Sequence, residues 1–521
     1  MIDMKLNSRI MKKSIISVCI LATLTGCDSY LKETSGDLLI PGSVEEFAPL
    51  LYGEGYPHNF DVDAGWFKLM TDDVEMSHLE TSNEEIGNTN SFDVTDGREG
   101  RYVYLWDYNM GEKVADGFWE ARYANILGCN AVIDALPTMK YNEAEVGKYK
   151  YLAAQAYALR AYHYFCLINT YALPYSQENL NKPGVIIRTT PDIKVKPQPR
   201  ASIADVWKLI NDDMQTAMGY MNESTPSANP HLISPLSLKF LASRIALFQE
   251  KWDDVIKYGE QFLQENNYIL DLNTVDEAKM GTTSSKDFAI MNMSENKEII
   301  FTFGTSKLYY DYLSTYPALY SLGFRVSKTD DGSLIKAYSE GDLRLKAFFT
   351  QDYMEADYSW EPPTQKYCYN YPIKYRSAAN NYHENWRTVE VYLNLAEAYA
   401  RKDRQISSKA IELLNDLRSK RIKRDQYRTL TSADFKNPAE LVKFIWNERR
   451  RELCFEEAMR FWDLRRTGMP RIEHRWYTDK NNYELYVLEQ KGKNYVVQIP
   501  LSETSVNSLA TPNDRDVIQH Q

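Results

Sequence analysis

Residues 143–170 read EAEVGKYKYLAAQAYALRAYHYFCLINT, and this stretch decides the fold class. Ala154, Ala158, Ala161 and Phe165 recur at i, i+4, i+7 and i+11, the spacing of one helix face. Alanines along that stripe let a second helix approach closely, because the side chains at a contact set the distance between axes. Pro174 stands just past the end of the pattern, where a helix has already stopped.

The same design returns twice. Leu238, Leu241, Ala242, Ile245 and Ala246 lead through Lys251-Trp252-Asp253 into a helix over 255–263. Val391-Tyr392-Leu393 and Ala396-Glu397-Ala398 lead through a polar turn into Ala410, Ile411, Leu413 and Leu414. Each reads as an antiparallel helix pair of tetratricopeptide type, with the copies far apart in sequence instead of stacked in tandem. Residues 52–111 and about 264–384 are rich in Gly, Asn, Asp, Pro and aromatics, the composition of long functional loops. The expected fold is mainly α: a scaffold of helix pairs carrying long irregular loops and a few short strands.

Composition narrows the function. The chain has 521 residues, 44% apolar and 26% charged, an ordinary globular balance with ample core material. Its net charge of −11 argues against nucleic acid as the partner. No apolar run of about 20 residues offers a bilayer-spanning helix. Tyrosine is the excess, with 38 copies beside 19 Phe and 10 Trp.

The N-terminus predicts the compartment. Lys12-Lys13, an apolar stretch from Ile15 to Leu24, and Leu24-Thr25-Gly26-Cys27 have the layout of a secretory signal ending in a bacterial lipobox. Cys27 is then the lipidated first residue of the mature chain, residues 1–26 are removed, and 27–42 form a polar tether. Met11 begins a better signal than Met1. Two or more acyl chains hold a protein stably on a membrane without spanning it. Apart from Cys19 in the signal and Cys27, four cysteines remain: Cys129, Cys166, Cys368 and Cys454. None forms a CxxC pair, and Cys129, Cys166 and Cys454 sit in apolar helical stretches as small buried hydrophobes.

No catalytic or metal motif stands out. Between Glu448 and Arg466 there are five acids and six bases, with Glu448, Glu452, Glu456 and Arg460 at four-residue spacing on one helix face. This interleaving reads as a salt-bridge network fixing a helix to the frame, not as paired catalytic carboxylates. The seven histidines show no metal spacing. Asp61-x-Asp63-x-Gly65 with Asp72 lacks the sixth-position Gly and twelfth-position Glu of a calcium loop. No cofactor is expected. A glycoside hydrolase needs no fixed carboxylate spacing and stays as an alternative.

Aromatic clusters in the irregular stretches are the functional signal. Tyr309, Tyr310, Tyr312, Tyr316 and Tyr320 crowd into twelve residues, and Tyr358 and Trp360 follow. Trp66-Phe67 and the alternating Tyr102, Tyr104, Trp106 and Tyr108 stand on the N-terminal side. Exposed rings suit sugars, whose C–H faces stack on an aromatic while hydroxyls bond nearby polar groups. Trp66, Asp72, Tyr102, Tyr104, Trp106, Tyr309, Tyr312, Tyr316, Tyr358 and Trp360 are therefore the candidate ligand contacts. Two bland readings stand beside this: 102–108 also describes a half-buried strand, and 309–320 a buried helical stripe. For Asp72 the plain alternative is a helix or turn cap.

A set of ordered motifs carries a family resemblance. Trp119-x-x-x-Tyr123-x-x-Ile126-x-x-x-Asn130-x-x-Ile133 is followed by Ala158-Leu159-Arg160-Ala161-Tyr162-x-Tyr164-Phe165-x-Leu167 and Pro199-Arg200-Ala201-Ser202. Then come Asp342-Leu343-Arg344, Arg387-x-x-Glu390-Val391-Tyr392-Leu393-x-x-Ala396-Glu397-Ala398 and Leu414-Asn415-x-Leu417-Arg418. Glu448-Arg449-x-x-Glu452-Leu453-x-Phe455-Glu456-x-x-x-Arg460-Phe461-x-Asp463-Leu464-x-Arg466 and Ile499-Pro500 close the series. Behind a lipobox, this order resembles the SusD/RagB family of Bacteroidetes outer-membrane lipoproteins. One departure is Tyr171-Ala172-Leu173-Pro174, where the family has Gly before the Pro.

The resemblance implies an N-terminal SusD-like region over 43–300 and a C-terminal RagB/SusD region over 301–521. It implies a non-enzymatic surface lipoprotein that captures oligosaccharide and passes it to a SusC-like TonB-dependent transporter in the outer membrane. Some branches of the family bind peptides, which makes a peptide importer the alternative within the family. A purely structural helical-repeat adaptor is the alternative outside it.

Overall fold

The computed structural model describes residues 41–58, 65–76, 95–114, 116–192, 196–281, 288–293, 296–304, 324–349, 373–374, 384–478 and 482–521. Cys27, the tether up to residue 40, Cys368 and the candidates Tyr309, Tyr312, Tyr316, Tyr358 and Trp360 lie outside these residues.

Helices of seven residues or more are numbered here in chain order. They are α1 (Val44–Leu50), α2 (Thr95–Tyr104), α3 (Gly117–Ala135), α4 (Val146–Tyr171), α5 (Ile203–Asn222) and α6 (Pro235–Phe248). The series continues with α7 (Trp252–Glu265), α8 (Thr388–Lys402), α9 (Ser408–Ser419), α10 (Pro438–Leu453) and α11 (Met459–Arg466). Their starts follow local chemistry. Ser202 caps α5, Ser234 caps α6 ahead of Pro235, and Asn437 caps α10 ahead of Pro438. No described helix is long and apolar enough to cross a membrane.

The α4 stripe is as expected, but its burial goes further. From Tyr151 to Tyr171 nearly every residue is buried, because α3 and α5 pack on two sides of the helix. On α3, Gly128 lets the turn after α1 approach closely: a Cβ there would lie 2.7 Å from the Glu54 backbone. Arg160 of α4 grips Asp213 of α5 through two bonds of 2.7 and 2.8 Å and also donates to Asn130 of α3 at 2.8 Å.

The two distant helix pairs meet in space. Helix α7 packs on both α6 and α8, and α8 packs on α9 and α10. Gly259 of α7 allows this approach, since a Cβ would meet Leu395 of α8 at 2.7 Å. Arg244 of α6 bonds Glu390 of α8 at 2.8 and 2.6 Å. The long insertion between the pairs therefore leaves the stack intact. Cys129, Cys166 and Cys454 are free and buried, as their apolar surroundings predict.

Three two-stranded antiparallel sheets complete the described fold. Strand β1 (Val74–Met76) pairs β3 (Phe324–Val326), β2 (Ile299–Phe303) pairs β4 (Glu384–Arg387), and β5 (Ile472–Tyr477) pairs β6 (Tyr483–Leu488). The division expected at residue 300 falls inside β2. One hydrophobic cluster runs from Val44 to Ala510.

The acid–base motif is a structural network, with one correction. Glu448 to Arg466 is not a single helix face. The chain breaks between α10 and α11, with Phe455 at φ 62° and Glu457 at φ 45°. The carboxylates nevertheless converge. Arg387 reaches Glu298 at 2.8 Å, Glu452 at 2.9 Å and Glu456 at 2.5 Å, while Arg421 bonds Glu298 at 2.8 Å and Glu452 at 3.0 Å. All five side chains are buried. Such a cluster persists because each charge has several opposite partners.

Candidate functional site

Four of the sequence candidates serve the interior instead of a ligand. Trp66 is buried beside Phe67, whose ring stacks on Phe461 at 5.7 Å and meets Phe118 edge-on at 5.0 Å. Residues 102–108 form no strand: they are the end of α2 and the turn after it, in which Trp106 adopts φ 50°. Tyr104 and Trp106 enclose the imidazole of His474, their ring centroids 4.0 and 4.1 Å from it and nearly parallel to it. Trp106 is 0% exposed, and its Nε1 donates to the Met70 carbonyl at 3.0 Å. The Tyr104 hydroxyl accepts from the Met76 amide at 3.0 Å. A sugar needs an open ring face, and Trp66, Tyr104 and Trp106 present none. The sequence carries each ring's apolar area but not the His474 strand that covers it.

Asp72 is likewise engaged, and neither as a cap nor toward solvent ligands. Arg460 holds both its oxygens at 2.8 and 2.7 Å, and Arg450 stands at 3.3 Å. Burial pushes this carboxyl up, but the two guanidinium groups outweigh it and hold it well below the usual carboxylate range. The clamp ties the approach to β1 onto α10 and α11. Tyr102, on α2, is half-buried and keeps part of its surface in solvent.

The outward side of the same assembly carries a different set of rings. Strand alternation turns His474 and Trp476 inward, while Arg475 and Tyr477 are only half-buried. Tyr477 and Tyr483 are register partners across the β5–β6 hairpin, with ring centroids 5.6 Å apart at 63°. Tyr483 is 48% exposed. The Arg475 guanidinium lies 5.3 Å from the Tyr483 ring centre and bonds both oxygens of Asp330 at 2.8 and 3.0 Å. Beside them, Arg325 bonds Glu75 at 2.8 Å, and Glu75 also accepts from the Lys328 and Thr329 amides at 3.0 Å. Arg101 lies 4.8 Å over Trp476, and the Tyr486 hydroxyl donates to Glu484 at 2.8 Å.

This surface is the candidate site. The exposed face of Tyr483 offers stacking, and Arg475, Asp330 and Glu75 offer donors and acceptors around it. Met76 and Phe324 are register partners, and the Tyr477 amide points at the Met76 sulfur at 3.2 Å. The ends of three strands therefore meet here. Among the described residues no group of three or more His, Cys, Asp or Glu is placed to hold a metal. Sequence reasoning missed Tyr477, Tyr483 and Tyr486. The signal was present as aromatic strand residues flanking the turn-rich Thr478-Asp479-Lys480-Asn481-Asn482.

No curated protein sequence matches the chain. Among solved structures, a SusD-like carbohydrate binding protein from Bacteroides vulgatus is similar at 19% identity and TM-score 0.61, covering 90% of this chain and 97% of that one. A SusD superfamily protein from Bacteroides thetaiotaomicron reaches TM-score 0.64 at 18% identity, covering 91% and 100%. One from Bacteroides fragilis gives 0.62 at 19%, covering 90% and 99%. At these identities the likeness establishes the fold. The family model described as "Starch-binding associating with outer membrane" matches residues 67–247, and that of the SusD family matches 253–514. With a single model spanning half its length and the fold in agreement, the chain belongs to the SusD family.

Proposed function

We propose that this protein binds oligosaccharide non-covalently at the cell surface and delivers it to a SusC-like TonB-dependent transporter in the outer membrane. Cys27 anchors it there through lipid. The observation that carries this reading is the pairing of the exposed Tyr483 with the half-buried Tyr477, with the Arg475–Asp330 ion pair beside it. Stacking supplies most of the attraction, because hydroxyl hydrogen bonds replace bonds to water at little net gain. The carbohydrate binding named for the B. vulgatus structure and the starch binding in the family description support the ligand class. Tyr102, Tyr309, Tyr312, Tyr316, Tyr358 and Trp360 remain proposed contacts from the sequence.

Chemistry favours binding over hydrolysis at this surface. Glu75 and Asp330, the carboxylates beside the tyrosines, are each engaged in an ion pair, with Arg325 and Arg475.

Affinity electrophoresis against a panel of polysaccharides, starch included, identifies the ligand. Tyr483→Ala is then expected to weaken binding by about five- to tenfold, the worth of one aromatic stack. Unchanged affinity in Tyr483→Ala and Tyr477→Ala would place the site elsewhere. Release of reducing sugar by the purified protein would overturn the non-enzymatic reading. Co-purification of the neighbouring transporter from outer membranes tests the partner.

A further inference from the structure

The approach to β1 meets the bend between α10 and α11 at a small polar cavity. Lys68 and Asp73 line it from one side, and Glu456, Glu457 and Arg460 from the other. It offers ≈ 10 Å³ to the centre of a water-sized sphere, room for one water molecule. Asp73 is 1% exposed. Its Oδ1 accepts from Arg450 Nε at 2.6 Å, while its buried Oδ2 has no hydrogen-bond partner in the protein. A carboxylate oxygen removed from water without a donor bears its full desolvation cost. Burial accordingly raises the Asp73 carboxyl above its ordinary range despite Arg450 and Arg460.

The wall around this oxygen is held in a costly shape. Phe455 and Glu457 both take left-handed backbone, a conformation that persists in ordinary residues only where the surroundings over-determine it. The other charges in the wall are already met. Glu456 is paired by Arg387 at 2.5 Å and by Lys374, and Glu457 by Arg244 at 2.8 Å. The local balance therefore does not call for a cation. Empty cavities in proteins are apolar, whereas polar ones of this size hold water.

We propose that one internal water occupies this cavity, donating to Asp73 Oδ2 and accepting from the Lys68 ammonium. It is the last link that seats the strand-bearing segment 65–76 on the α10–α11 bend. The site is independent of the carbohydrate reading.

A crystal structure of the full chain, at a resolution that reveals ordered waters, tests it. The expected result is one density peak about 2.6–3.0 Å from Asp73 Oδ2. Absence of density overturns the proposal and assigns Asp73 a proton of its own. A peak ringed by six or more oxygens at about 2.3–2.6 Å also overturns it, in favour of a metal cation. Asp73→Leu removes the acceptor and should lose the peak; a peak retained there would exclude Asp73 as its anchor. If that variant fails to fold, the native density decides alone.

Discussion

The protein uses the same chemical pair, arginine with carboxylate, in two regions to opposite ends. In the interior, Arg344, Arg387 and Arg421 meet Glu298, Glu448 and Glu452 with every side chain at or near 0% exposure. At the hairpin, Arg475 meets Asp330 with 26% and 59% of the two side chains exposed. Water screens the second pair and is excluded from the first. The interior pairs therefore hold the fold, while the outer pair costs little to disturb and stays open to solvent. Position, not residue type, separates the two roles.

The comparison breaks first at its buried end. Arg387→Met leaves Glu298, Glu452 and Glu456 short of a partner and should destabilise the protein by about 3–5 kcal/mol in urea unfolding. A loss below 1 kcal/mol would mean that the network contributes no more than surface pairs do.

Acid attacks the same region with a definite sign. Burial pushes the Glu448 carboxyl up, but Arg344, Arg451 and Arg418 bring it down to about 2, below its ordinary 4.5. A depressed carboxyl contributes stability that is present above about pH 4.5 and is lost as pH falls toward 2. Wild type should exceed Glu448→Gln by on the order of 3 kcal/mol at pH 7, with the gap roughly halved at pH 3 and closing only below about pH 2. At the start of α3, Asp116 caps the helix by accepting from the Trp119 amide and has the opposite sign, since burial raises it to about 7 and its cost grows as pH rises toward that value. Melts of Asp116→Asn from pH 4 to 8 should show that part of the pH dependence removed.

Packing comes next in size. Gly128→Ala places a Cβ against the Glu54 backbone and should cost about 1–3 kcal/mol. A neutral result would show that the turn after α1, residues 51–55, moves aside. At the hairpin, Arg475→Ala should change stability by less than about 1 kcal/mol and yet weaken oligosaccharide binding. If Arg475→Ala lowered stability as much as Arg387→Met, the distinction between the two regions would fail.

Much of the frame was legible in the amino-acid order. The Ala154–Phe165 stripe, the helix entered at Ser202, and the alanine-bearing pairs α6–α7 and α8–α9 are local patterns, and a helix reports its burial through its own period. The reading of 102–108 as a possible strand failed because alternation over seven residues describes the end of a helix and a turn equally well. Trp106 takes left-handed backbone that no local signal announces. The ring stack it enters is completed by His474, nearly 370 residues away.

The candidate site follows the same logic. Trp66, Tyr104 and Trp106 and the exposed Tyr483 look alike in sequence, since each is a large ring in an irregular or short-strand segment. Which ring faces solvent depends on what is laid over it. Strand β5 sends His474 against Tyr104 and Trp106, and the same strand turns Tyr477 outward to meet Tyr483.

The sequence alone determined the helical class, the pairing of neighbouring helices, the burial of Cys129, Cys166 and Cys454 and the structural nature of the 448–466 charges. These properties are encoded in periodicity and spacing within one segment. Tertiary structure alone decided which aromatic faces remained open, which acids Arg387 and Arg460 would bind, and where the ends of β1, β3 and β5 would meet. Those outcomes depend on contacts between residues hundreds of positions apart, and burial is a property of such contacts, not of the residues that make them.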